Sequence, residues 1–265
     1  MHIITIRRIM KTLLYLLPLW LTIVPSSVYQ PEENLKKNTY KINRSFFRIG
    51  DQLIKLEKYG DARNQNYILV SLHENESRYE AAQQMVHQNG ITWLRAIYEN
   101  GNIVKADLFN KKIVFDPQHI FTSWGRRVHL KENGCWSKAG DEYVQQFARF
   151  VLNEIPHDKT VVTFLNEKIL LSEFMAGGSR EKEAKLIHRN ESMPENIFFL
   201  TPDEDVYSEL KSRNHNVVFQ HGKKIEDNGT LIVYSAKVNK PYLSIVAGEP
   251  GKELELLEIA HEILQ

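Results

Sequence analysis

The stretch Tyr67-Ile68-Leu69-Val70-Ser71-Leu72 constrains this chain most. It is almost continuously apolar, where a half-exposed strand would alternate. Such a run suits a strand covered on both faces of a sheet. A helix-forming segment, residues 77–89, follows at once. Ala81, Ala82, Met85 and Val86 recur there at helical spacing, and Gly90 stands where a helix stop belongs. A doubly covered strand that runs straight into an amphipathic helix belongs to an α/β protein.

The rest of the chain repeats the alternation. Strands are expected within residues 46–59, at 91–98, as a pair around Asn110 in 103–115, and at 159–165, 196–200, 217–220 and 242–247. Helices are expected at 138–154, 203–213, 230–238 and 252–264. The expected architecture is one α/β domain, a three-layer sandwich with a mixed, mostly parallel sheet. Residues 30–45 read as a loose polar leader. Residues 172–195, with Gly177-Gly178 and the charge run Arg180-Glu181-Lys182-Glu183, read as a solvated loop or lid. Trp93, Tyr98, Phe109 and Phe115 read as core, and Leu254, Leu257, Ile259 and Ile263 as the buried face of the last helix.

The front of the chain has a different character. Arg7, Arg8 and Lys11 precede a run of about a dozen apolar residues, and Ser26-Ser27 follow it. The run suits the core of a secretory signal and is short for a bilayer span. Residues 1–29 are therefore expected to be a signal peptide and 30–265 the folded domain, periplasmic or secreted. Without those three residues, the 34 basic side chains fall to 31 against 33 acidic ones, a balance of −2. That excludes the basic field of a nucleic-acid binder or a membrane-surface protein. Cys135 is the only cysteine, so an intrachain disulfide is impossible; it reads as a small buried side chain.

The candidate chemistry begins where the first buried strand ends, because α/β sheets build sites at the carboxyl ends of their strands. His73 and Glu76 stand there, three residues apart. Imidazole and carboxylate are zinc ligands, and a catalytic zinc takes three protein ligands and a water. Against this stands the plain reading of a surface histidine and a helix-starting glutamate. Arg126 and Arg127, with Trp124 and His129 nearby, are candidates for holding an anion at the rim of a cleft, or form a solvated basic turn.

The order strand, His73-x-x-Glu76, helix, and then Phe115-Asp116-Pro117-Gln118-His119-Ile120-Phe121-Thr122, resembles the zinc metallocarboxypeptidase superfamily, which includes succinylglutamate desuccinylase and aspartoacylase. The resemblance spans residues 60–264. It implies a carboxypeptidase-like fold, zinc held by His73 and Glu76, and an amide-bond substrate such as a peptide or N-acyl amino acid.

The departures from that pattern are specific. Where the family carries an Asn-Arg pair this chain has Gln118-His119, which are then the substrate-binding candidates beside Arg126 and Arg127. The strand that should end in a third histidine ends Phe164-Leu165-Asn166. Glu249 is the carboxylate nearest to the family's late catalytic glutamate, and so the candidate catalytic base. His119 and Asn166 are replacement candidates for the third ligand. One motif of four is intact, and residues that act as a unit lose nearly all function when one is removed. Two readings follow: a degenerate homologue that binds a peptide-like or N-acyl amino acid ligand without hydrolysing it, or an active zinc-dependent amidohydrolase acting on peptides or cell-wall fragments.

Overall fold

The computed structural model describes residues 41–60, 65–73, 75–99, 101–165 and 168–265. The expected signal peptide and Asn166 lie outside the described residues. The elements are β1 (Ile42–Ile49), β2 (Gln52–Tyr59), β3 (Tyr67–Ser71), α1 (Glu76–Asn89), β4 (Trp93–Ile97), β5 (Val104–Leu108), β6 (Lys111–Phe115), α2 (Ser123–Glu132), α3 (Lys138–Asn153), β7 (Thr160–Phe164), β8 (Ala184–His188), β9 (Ile197–Thr201), α4 (Glu204–Ser212), β10 (Val217–Gln220), α5 (Leu231–Lys237), β11 (Tyr242–Ala247) and α6 (Glu253–Leu264). No helix among the described residues is long and apolar enough to cross a membrane.

Nine strands form one mixed sheet in the order β1-β2-β4-β3-β7-β11-β9-β10-β8, and β5 and β6 make a separate hairpin. Four neighbouring strands, β4, β3, β7 and β11, run parallel, as do β9 and β10. The other four pairings are antiparallel. The sheet is therefore evenly mixed and not mostly parallel. The antiparallel pairings join the β1–β2 hairpin to β4 at one edge, β8 to β10 at the other, and the parallel block β4-β3-β7-β11 to the parallel pair β9-β10 inside the sheet.

β3 shows why the central run is apolar throughout. Tyr67 and Leu69 join one apolar cluster with Ala82, Met85 and Val86 of α1, Leu210 of α4 and Leu257 of α6. Ile68 and Val70 join another, with Val144 and Phe147 of α3 and Leu231 of α5. Side chains alternate across a strand, so apolar groups on both faces demand apolar residues at every position. Each such side chain contributes roughly 1.5–3 kcal/mol on leaving water. On α6 the buried face is Leu256, Leu257, Ala260, His261 and Leu264, and Leu254, Ile259 and Ile263 pack only at its margin. Phe109 is not core: it is 70% exposed at the tip of the β5–β6 hairpin, where it and Asn110 both take positive φ. Cys135 is half-buried and donates its thiol hydrogen to Val114 O at 3.2 Å.

Three segments depart from expectation. β1 begins at Ile42, inside the supposed leader, because it pairs with β2 along its whole length. The supposed solvated loop holds β8, which closes the sheet against β10, and buries Phe174 and Glu183 beneath its turns. Arg126 and Arg127, expected at a cleft rim or in a solvated basic turn, lie in α2, started by Thr122, whose hydroxyl accepts the Gly125 amide.

Gly125 of α2 lies back to back with Gly229: a Cβ on Gly125 would stand 2.1 Å from the Gly229 nitrogen. Gly229 takes φ +84°, and its carbonyl accepts from the Phe121 amide at 2.8 Å. This contact fixes the loop before α5 against the segment after β6. Gly125→Ala is expected to lower stability by roughly 1–3 kcal/mol, as overpacking against backbone does. Urea unfolding measures it, and an unchanged midpoint contradicts the close approach.

Candidate functional site

The carboxyl ends of β3 and β7 form a rim, and His73 stands on it just past β3. Two cavities meet there. A narrow one of about 40 Å³ is lined by Val70, Leu72, His73, Arg78, Gln118, Thr163, Phe164, Leu165 and Thr230–Ile232. A wider one of about 280 Å³ is lined by His73, Asn75, Glu76, Arg78, Tyr79, Trp93 and Arg95. Ser71, His73 and Arg78 border both.

Asp116 organises the polar side of the narrow cavity. It caps a single 3-10 turn, Pro117–His119, by accepting the Gln118 amide at 2.7 Å. Proline at the first helical position suits such a start. The same carboxylate oxygen lies 2.6 Å from His73 Nε2. The Asp116 amide donates to His129 Nε2 at 2.8 Å. An amide only donates, so that nitrogen carries its lone pair and His129 holds its proton on Nδ1. His119 donates from Nδ1 to the Asn228 carbonyl at 2.7 Å, and its Nε2 stands 4.0 Å from Asp116 Oδ2. The His119 and His129 rings stack with centroids 5.4 Å apart. Asp116 thus meets His73 and His119 with its carboxylate and His129 with its backbone amide.

The electrostatics follow from this crowding. Burial alone raises the pKa of Asp116, but the hydrogen bond and charge of His73, with the Gln118 amide and His119, outweigh it and hold the carboxyl below its ordinary value. Burial lowers the His129 pKa, and the neighbouring His119 lowers it further.

Arg78 completes the site. It belongs to the first turn of α1, whose start is capped by Asn75 accepting the Arg78 amide. Its Nη2 donates to Leu165 O at 2.9 Å, and its guanidinium lies over the Phe164 ring at 5.3 Å. Burial depresses its pKa, with Glu253 opposing.

The residues expected to act divide into two groups. His73, Glu76, Gln118 and His119 lie at or beside the two cavities; Arg126, Arg127 and Glu249 do not. Glu76 is exposed on the first turn of α1. Arg126 is 3% exposed and ties α2 to α3 through Asp141 at 2.6 Å and to the Ile120 carbonyl at 3.1 Å. Arg127 is exposed and lies over Trp136. Glu249 sits on an exposed turn and lines a separate groove with Arg213, His215 and Lys252. The cause lies in β11: beyond Ala247 the chain follows β9, with the Gly248 amide donating to Asn196 O, and so leaves the β3–β7 rim.

Sequence reasoning passed over Asp116 and Arg78, and named His129 only as a neighbour of Arg126 and Arg127. Asp-Pro after an apolar strand is a turn-starting signal that marks Asp116. Nothing local marks Arg78, whose partners come from β7. His73 and Glu76 are two donors where a catalytic zinc needs three. Among the described residues, no group of three or more His, Cys, Asp or Glu is gathered to hold a metal ion.

Asp116→Asn is expected to destabilise the protein at neutral pH. The folded carboxyl titrates below its unfolded value, so its contribution is present above about pH 4 and is lost as pH falls through the lower folded value. Wild type and variant should therefore differ in melting temperature at pH 7 and converge below about pH 4. A constant gap across that range contradicts the His73–Asp116 pairing.

No protein-family model matches the chain, and searches of curated proteins and of solved structures return no match.

Proposed function

We propose that this chain is an exported, single-domain, three-layer α/β protein of the zinc-carboxypeptidase-like kind that has given up metal hydrolysis and binds a peptide-like or N-acyl amino acid ligand at the His73 rim. The observation that carries the reading is the placement of the two glutamates expected to act with His73, neither of which converges on it, while His73 Nε2 itself lies 2.6 Å from an Asp116 carboxylate that also holds the Gln118 amide. Hydrogen-bonded in this way, Nε2 carries a proton, and Nδ1 is the ring nitrogen left with a lone pair for a metal. Glu76 is exposed one turn away, and Glu249 borders a different groove. A general base must come within about 3 Å of the proton it takes.

The binding half of the reading rests on what the rim retains. An apolar slot formed by Val70, Leu72, Phe164, Leu231 and Ile232 lies beside His73, Gln118 and Arg78. Apolar walls with a few convergent polar groups are the ordinary make-up of a small-molecule site. Helices packed on both faces of the sheet support the three-layer description. Export rests on the basic and apolar composition of residues 1–29.

Metal analysis of the purified protein tests this directly. Far less than one zinc per chain is expected, with no difference between wild type and His73→Ala. Hydrolysis of N-acetylated amino acids should stay at background with zinc supplied. A full equivalent of zinc that disappears in His73→Ala would overturn the reading and restore the active amidohydrolase.

A further inference from the structure

Arg78 has the surroundings of a cation waiting for an anion. Among the described residues it makes no ion pair. Its Nε is sealed from solvent with no hydrogen-bond partner, and the bonding recorded for its guanidinium is the single donation to Leu165 O. Glu253, the carboxylate whose charge reaches it, is engaged elsewhere. Glu253 Oε1 lies 2.7 Å from the Ser77 hydroxyl, and Oε2 accepts the Gly251 amide at 2.8 Å. Phe164 covers one face of the guanidinium.

Arg78 is half-buried, and a partly desolvated charge without an ionic partner is costly unless something compensates it. Arginine cannot relieve the cost by losing its proton, so an anion in the adjoining cavities is the partner that would offset it. The buried cations elsewhere show the contrast. Arg126 is more deeply placed than the half-buried Arg78, and it meets Asp141 at 2.6 Å. Arg180 meets the buried Glu183 at 3.2 Å. Arg78 differs from both in bordering two cavities.

We infer that Arg78 is the anchor for a ligand carboxylate, and that the ligand places an aliphatic group in the slot between Leu72, Phe164 and Ile232 while its carboxylate meets the guanidinium at the junction of the two cavities. This deepens the proposed ligand-binding role and rests on it for the peptide-like part of the ligand alone. The recognised class is a small carboxylic acid with an aliphatic chain and, in its larger form, an N-acyl aliphatic amino acid. The narrow cavity, at about 40 Å³, suits an aliphatic side chain better than a ring. Gln118 borders the same slot and is positioned for the ligand's amide.

Titration calorimetry of the full chain with three probes tests this: butyrate, N-acetyl-leucine and the uncharged N-acetyl-leucinamide. Wild type should bind the two acids and prefer N-acetyl-leucine over its amide by about ten- to a hundredfold, the worth of a charge-assisted hydrogen bond. Arg78→Met should lose binding of both acids, while Arg78→Lys, which keeps the charge without the fork, should retain part of it. Arg78→Met removes a half-buried charge that has no ionic partner, at nearly constant length, so its melting temperature should not fall, and loss of binding cannot be put down to misfolding. If neither acid binds at up to about ten millimolar, the inference is overturned. It is equally overturned if acid and amide bind alike and Arg78→Met changes neither, although the ligand-binding role then survives. If butyrate binds through Arg78 but N-acetyl-leucine does not, the anion anchor stands and the peptide-like ligand falls.

Discussion

The site depends on one carboxylate. Asp116 joins the turn after β3 to the segment after β6 through His73 Nε2, and its own amide reaches His129 on α2. The turn after β3 is thereby brought to one point with two pieces of chain that lie some forty to fifty-six residues further on. A charge in a half-buried site persists only when hydrogen bonds replace the water it has lost. Here the Gln118 amide and the His73 imidazole do so. The same contact that stabilises the carboxylate also sets the direction of the imidazole, and so decides what that ring can do. A histidine aimed at Asp116 is a hydrogen-bond donor and an electrostatic partner.

How far the fold was legible depended on where each element finds its partners. Helices with their own start and stop signals were readable to within a residue or two. Asn75 and Gly90 bracket α1, Ser137 starts α3, Asp203 starts α4 and Thr230 starts α5. Strands buried on both faces, β10 and β11, were readable because continuous apolar runs need no partner to be recognised. β8 was not. It is an edge strand with Leu186 turned outward, polar and charged flanks, and a single neighbour. Edge strands are kept short and polar, which erases the pattern that would reveal them. α2 was hidden for another reason: Gly125 interrupts it, and glycine inside a helix argues against one. The close approach to Gly229 is a tertiary reason for that residue, and no local propensity contains it.

The candidate site was legible only in part. His73 could be placed because position at a strand's carboxyl end is a local property. Glu249 was misplaced because its position depends on the strand beside β11. With β9 antiparallel there, the chain beyond Ala247 turns toward Asn196 and away from the rim. Arg126 looked like an exposed basic residue until α3 brought Asp141 to it. In each case the residue type was read correctly, and the deciding partner stood on another element.

Arg78 is the sharpest instance of that gap. As an arginine in the first turn of a helix it works against the helix dipole, whose positive end favours acids. Helix propensity gives no reason for it there, and an acid or a neutral residue would stabilise α1 better. Packing gives none either, since part of its hydrogen-bonding capacity is sealed in without a partner. A side chain that costs stability on both counts, and that borders two cavities, is of the kind that persists at functional sites, where local consistency is given up. Arg126 and Arg180 answer their charge from within the fold, which makes them structural; Arg78 has only the cavity from which to draw an anion.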